Sequence, residues 1–122
     1  GLPTGVYQRR VWLAGERCAV AWAGALRAKP WFACRVTEVQ MDRGTPTAVA
    51  LEVAVQLCPA VRVLVVDALT PAVAHVCQAL GVRLRVLCVR LAHGAPSCDD
   101  AGACRGALTA AIRRACPWVT LE

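Results

Sequence analysis

The sequence predicts a single α/β domain with a five-stranded mixed sheet, in the order β-β-β-α-β-α-β-α. Three observations point to this class. Two apolar segments, Arg10–Ala14 (RVWLA) and Arg17–Ala25 (RCAVAWAGA), flank a Gly15-Glu16 turn and read as a hairpin. Two later runs, Val61–Val66 and Arg83–Arg90, are β-branched or alternating and read as further strands. Two Thr-Pro pairs, Thr45-Pro46 and Thr70-Pro71, stand where helices should open. Threonine offers an N-cap oxygen, and proline fits the first helical position because its missing N–H has no partner there.

Between these signals the chain reads as follows. Lys29-Pro30 breaks the hairpin segment, and Trp31–Gln40 reads as a third strand. Asp42–Gly44 is a turn. The Thr45-Pro46 helix runs to about Leu57, with Glu52 and Gln56 as its thin polar stripe, and Cys58-Pro59 ends it. Val61–Val66 suits a central strand covered on both faces, with Asp67 at its carboxyl end. The second helix runs to Leu80, where Gly81 supplies a left-handed stop. Arg83 and Arg85 alternate with apolar residues in the fifth strand, as at a sheet edge or rim. Ala92–Cys98 is a loop. Asp99 or Asp100 caps a last helix, roughly Ala101–Cys116, in which Arg105, Thr109 and Arg113 recur every four residues; Pro117 stops it.

Composition bounds the class. The 122 residues fit one domain, and the missing initial Met suggests a piece of a larger protein. Hydrophobic residues at 57% against 18% charged allow a substantial core and argue against disorder. No run reaches the roughly 18 apolar residues of a membrane span. Ala48–Leu57 comes closest, interrupted by Glu52 and Gln56. Gly1–Arg10 carries no secretory signal pattern. The net charge is +6, with Lys29 the only lysine. That excess suits a basic surface for an acidic partner, nucleic acid included. Eight cysteines form no CxxC pair, so neither a zinc ribbon nor a redox motif is indicated. Reduced thiols in an intracellular protein are expected, with Cys18, Cys34, Cys58, Cys77 and Cys88 acting as small apolar residues.

Local sequence carries a family resemblance. Thr47–Leu51 (TAVAL), followed by Val61–Asp67 and Ala68, resembles the retroviral and hepadnaviral ribonuclease H pattern. Val11–Ala14 with Cys18–Gly24 resembles that family's first hairpin. Val89–Pro96 followed by Asp99-Asp100 resembles its last strand and loop. The resemblance implies a ribonuclease H-like domain of retroelement origin, domesticated in a host protein. Such enzymes hold two divalent metals with about four carboxylates.

Carried over position by position, the first aspartate falls at Ala14 and the helix glutamate at Val49, neither of which can ligate. Asp67 keeps its acid, and Asp99 or Asp100 stands for the last. The resemblance therefore implies a pseudoenzyme without cofactor. Mg²⁺ or Mn²⁺ enters only if relocated acids, Glu16 and Glu52 with Asp67 and Asp99 or Asp100, rebuild the cluster. Asp67 has a second reading, satisfying amides at the next helix start. His93 lies where the family places a mobile histidine, whereas His75 reads as structural or surface. His93, Cys98 and Cys104 match no standard zinc spacing, so no metal site is expected.

Three functions follow as expectations. The first is protein–protein contact, scaffolding or self-association, with Trp31, Phe32 and Trp118 as apolar anchors. The second is nucleic-acid binding without cleavage, through Arg83, Arg85, Arg90, Arg105, Arg113 and Arg114. The third is a metal-dependent nuclease with relocated carboxylates.

Overall fold

The computed structural model describes residues 10–90 and 99–122, with backbone alone over 99–105. Strand β1 (Arg10–Leu13) leads into helix α1 (Glu16–Ala28) and a helical turn α2 (Pro30–Ala33). Strand β2 (Glu38–Met41) is followed by α3 (Thr47–Leu51), which widens into a π-helical segment over Glu52–Leu57. Then come β3 (Val63–Val66), α4 (Pro71–Leu80), a 3-10 turn (Gly81–Arg83), β4 (Val86–Val89), α5 (Asp99–Ala115) and β5 (Thr120–Leu121). The class is α/β with five strands, as expected, but the sheet is not mixed. Its order is β1-β2-β3-β4-β5, and every neighbouring pair is parallel.

The expected hairpin is therefore corrected. Arg17–Ala25 lies inside α1, so β1 and β2 are joined by a helix rather than a turn. The alanines at 19, 21, 23 and 25 imitate a strand's period of two. Burial instead follows Ala19, Ala23 and Leu26, one helical face. Alanine's high helix propensity favours that outcome. Gly15, at φ +93°, turns the chain out of β1, and its carbonyl accepts from Ala19 at 3.0 Å. A residue with a Cβ would be strained there. The third strand is also shorter than Trp31–Gln40 suggested. Pro30 starts a helical turn through Ala33, and only Glu38–Met41 pairs. The described strands thus contain no antiparallel half-sheet of the ribonuclease H kind, and their order does not support that resemblance.

Other boundaries shift for local reasons. Thr45 does not cap a helix: it is buried, and its hydroxyl donates to the Leu13 carbonyl at 2.7 Å. Pro46 stays extended and the helix begins at Thr47. Thr70-Pro71 behaves as expected, the Thr70 hydroxyl accepting from the Val73 amide at 3.2 Å. Gly81 ends α4 at φ +57°. The Arg83–Arg90 strand contracts to Val86–Val89, leaving Arg83 in the 3-10 turn and Arg85 just ahead of the strand. Strand β5 follows the last helix, where the sequence suggested only a stop.

Strand register defines two sheet faces. Val11, Val39, Leu64, Leu87 and Leu121 align across the sheet, as do Leu13, Met41, Val66 and Val89. These residues face the helices, and most are fully buried. The helices pack side by side in chain order, α1 on α3 and its π segment, α3 on α4, α4 on α5. They form a single layer on one face. The opposite face carries Arg10, Trp12, Glu38, Gln40, Val63, Val65, Val86 and Cys88. Val65 is buried at the centre of the sheet but lies outside the helix-side core. Val63–Val66 is the central strand, but among the described residues helices cover only one of its faces rather than both.

This arrangement predicts unequal costs for adjacent truncations in β3. Leu64→Ala opens the helix-side core and should lose about 3 kcal/mol, whereas Val65→Ala should lose about 1 kcal/mol. Urea unfolding of the two variants measures the difference; equal losses would contradict a one-sided helix layer.

Candidate functional site

Parallel α/β sheets usually bind ligands beyond the carboxyl ends of their strands, in a crevice where the strand order reverses. The order of the five described strands never reverses, so their topology supplies no such switch point. The carboxyl-end rim nevertheless carries acids. Asp67 follows β3, as the sequence suggested. Asp42, read only as a turn residue, follows β2 on the neighbouring strand. Both are engaged by protein groups. The Trp12 indole donates to Asp42 at 3.0 Å. The Arg43 amide donates to Asp67 at 3.2 Å, and the Arg43 guanidinium lies 3.6 Å from the same oxygen. Asp67 thus serves the turn after β2 rather than the helix start that follows it.

The other carried-over positions do not converge on this pair. Ala14 is exposed at the end of β1. Val49 is half-buried and packs against the core. Glu16 is exposed in the first turn of α1. Glu52 lies in the helix layer, gripped by Arg27 through two hydrogen bonds of 2.9 and 3.1 Å. Its side chain is half-buried, and its carboxylate is paired with an exposed arginine. Asp99 and Asp100 begin α5, but their side chains, like those of Cys104 and Arg105, lie outside the described residues, as do His93 and Cys98 entirely. Among the described residues no three His, Cys, Asp or Glu side chains come together as a metal set. His75 is exposed on α4.

The opposite, amino-end rim is basic. Parallel strands with helical returns bring two kinds of residue there: those just ahead of each strand, and the ends of the helices. Arg35 precedes β2, Arg62 precedes β3, Arg85 precedes β4, and Arg113 and Arg114 close α5 ahead of β5. All five are exposed. Arg62 and Arg85 are immediate neighbours, the Arg85 amide donating to the Arg62 carbonyl at 2.7 Å. Among the described residues none of the five makes an ion pair. The acids nearest this end are already taken, Glu38 by Arg10 and Glu52 by Arg27.

The expected arginine set therefore divides. Arg85, Arg113 and Arg114 share the amino-end rim. Arg90 follows β4 and lies at the other end of the sheet, a consequence of strand polarity. Arg83 is half-buried, and its guanidinium donates to the carbonyls of Ala54, Val55 and Cys58 at 3.4, 3.1 and 2.9 Å. It satisfies the carbonyls that the π-helical segment leaves at its end, where a cation also meets the negative pole of the helix dipole. Arg35 and Arg62 were missed because each stands alone in the sequence.

Aromatic residues flank the basic rim. Trp31, between Lys29 and Arg35, is 63% exposed and meets Phe32 edge-on at 6.2 Å. Phe32 itself is half-buried, packs against the core and stacks with Trp22 at 6.4 Å. Trp118 is 63% exposed, with the Arg85 guanidinium 5.9 Å from its ring centroid.

The described cysteines are all free thiols. Burial pushes Cys58 up to about 11 and Cys77 to about 12, and raises Cys116 as well. Cys34 is exposed, contrary to the expectation of burial. Among the described residues no helix is long and apolar enough to cross a membrane. Comparison with protein families, with characterised proteins and with solved structures finds no match to this chain.

Two outcomes test these assignments. Arg83→Ala strands buried carbonyls and should cost about 1–3 kcal/mol, while Arg85→Ala should change stability by less than about 0.5 kcal/mol; thermal unfolding followed by circular dichroism distinguishes them. The buried thiols set an alkaline limit. Their folded pKa values lie above the ordinary 9.0, so their contribution is complete below pH 9 and drains as pH rises towards about 11 to 12. Tm should fall between pH 8 and pH 10.5, and fall less in Cys77→Ala.

Proposed function

We propose that this chain is a non-catalytic nucleic-acid-binding module that uses its amino-end rim. The observation that carries this reading is the set Arg35, Arg62, Arg85, Arg113 and Arg114, brought together by topology and lacking ion pairs among the described residues. A guanidinium presents a planar fork that matches phosphate oxygens two at a time, and it never loses its charge. Such a rim suits a repeating anionic backbone. A pseudoenzyme is the companion proposal: Asp42 and Asp67 are each held by protein donors, and Glu52 is held by Arg27 in another layer. A retroelement ribonuclease H ancestry would now rest on the Thr47–Leu51 and Val61–Asp67 segments alone, and the binding reading does not depend on it.

Protein contact or self-association is supported by the sheet face that carries no helix among the described residues, where Trp12 is 51% exposed. Strand spacing and rise give that face only about 300 Å². Stable complexes bury roughly 800 Å² per partner. The sheet face alone is therefore too small to hold a second copy, and the arginine rim is the stronger basis for function.

Binding of a labelled oligonucleotide, followed by fluorescence anisotropy across a salt series, tests the proposal. Affinity should fall steeply with salt. Removing Arg62 and Arg85 together should weaken binding and flatten the log–log salt slope by about 1.4 to 1.8. Arg90→Ala, at the opposite rim, should leave both unchanged. Absence of binding at low salt, or equal competition by poly-glutamate, would overturn the reading.

A further inference from the structure

We propose that the rim selects single-stranded over double-stranded nucleic acid, an inference that rests on the binding function proposed above. The added observation is the placement of its tryptophans. Trp31 stands at the β2 side of the rim and Trp118 at the β5 edge, each 63% exposed. Between them lie the approaches to β3 and β4, carrying Arg62 and Arg85. From β2 to β5 is three strand spacings, about 14 Å. The rim is thus a short track with backbone-binding cations in the middle and an exposed aromatic surface at each end.

Cations alone do not distinguish one strand from two, since both offer phosphates. Exposed indoles do. A base in a duplex has both faces stacked on its neighbours and cannot lie on a side chain without being pulled out. A base in a single strand can stack at little cost, and any of the four bases has a face to offer. Trp118 is prepared for this role. The Arg85 guanidinium lies over its ring at 5.9 Å, a cation–π contact that steadies the indole and leaves most of the side chain in solvent. The same arginine then sits beside the base it helps to present, within reach of that nucleotide's phosphate. Trp31 is braced by the edge contact with Phe32, which is fixed in turn against Trp22.

Neither tryptophan is buried in the core. Pro117 and Trp118 connect α5 to β5, a segment whose local bond is made by the backbone, the Val119 amide donating to the Cys116 carbonyl at 3.1 Å. Large apolar side chains left in water cost solubility. Of the five exposed large hydrophobic residues, these two accompany the exposed arginines, an arrangement that a stacking role accounts for.

The test uses the 122-residue chain with a fluorescein-labelled mixed-sequence 12-mer, single-stranded or annealed to its complement, at matched salt. The single strand should bind about tenfold more tightly than the duplex. Trp118→Ala should weaken single-strand binding about tenfold and leave duplex binding within twofold, whereas Trp118→Phe should retain most of the single-strand affinity. Circular dichroism and Tm check that each variant is folded; should Trp118→Ala unfold, Trp31→Ala carries the same expectation. Binding of the single strand should also quench tryptophan fluorescence. Equal affinity for both forms, with no effect of either tryptophan substitution, would overturn the selectivity while leaving the arginine rim intact. No binding of either form would overturn both.

Discussion

The connection between neighbouring parallel strands governs this molecule. Each strand is added beside the previous one, always on the same side, and each return passes through a helix. A crossover between parallel strands is right-handed almost without exception. When the sheet grows in one direction only, that handedness sends every helix to the same face. The helices then pack as one row, and the core lies between that row and Val11, Val39, Leu64 and Leu87. One face of a parallel sheet is left with no helix among the described residues, although such sheets are normally covered on both.

The same constraint separates the two ends of the sheet. Turns from strand to helix gather at one rim, where Asp42, Arg43 and Asp67 knit neighbouring turns together. Turns from helix to strand gather at the other. The helix carbonyl ends also lie there, so that rim carries the negative poles of the helix dipoles. Arg83 answers this directly by bonding the last carbonyls of the π-helical segment. A single topological rule thus accounts for the unreversed strand order, for the acids that meet at one rim and for the arginines that meet at the other.

How much of this could be read in the sequence varied with how local each signal is. Helix α4 was legible because Thr70, Pro71 and Gly81 each act on their own neighbours. Strand β3 was legible because Val61–Val66 is short, β-branched and apolar. Helix α1 was misread because alternating alanines satisfy a period of two as well as a helical one, and only burial against a sheet chooses between them. That error reversed the direction of half the sheet. Strand β5 has only two residues and exists because the exposed edge of β4 can bind it, the Thr120 amide donating to the Arg85 carbonyl at 2.8 Å. No local pattern announces such a strand. For the site, an arginine count was visible, but which arginines meet was not. Arg62 and Arg85 are distant in sequence and adjacent in space, and strand polarity alone removes Arg90 from their company.

Folding explains some of these cations and not others. Arg113 and Arg114 end α5, where positive charge favours the helix. Arg27 holds Glu52, and Arg10 holds Glu38. Arg35 follows the end of the helical turn α2, its amide donating to the Phe32 carbonyl at 2.9 Å, and Arg62 and Arg85 stand just ahead of β3 and β4; none of the three makes an ion pair among the described residues. Arg62 and Arg85 moreover occupy neighbouring positions on adjacent strands, where like charges oppose pairing. On the proposed reading, a shared anion between them would offset such a like-charge contact. A phosphate backbone would supply such anions at regular intervals, and the indole of Trp118 beside Arg85 would supply a surface for the attached base. The residues that the fold has least use for are therefore the ones that a bound strand would use together.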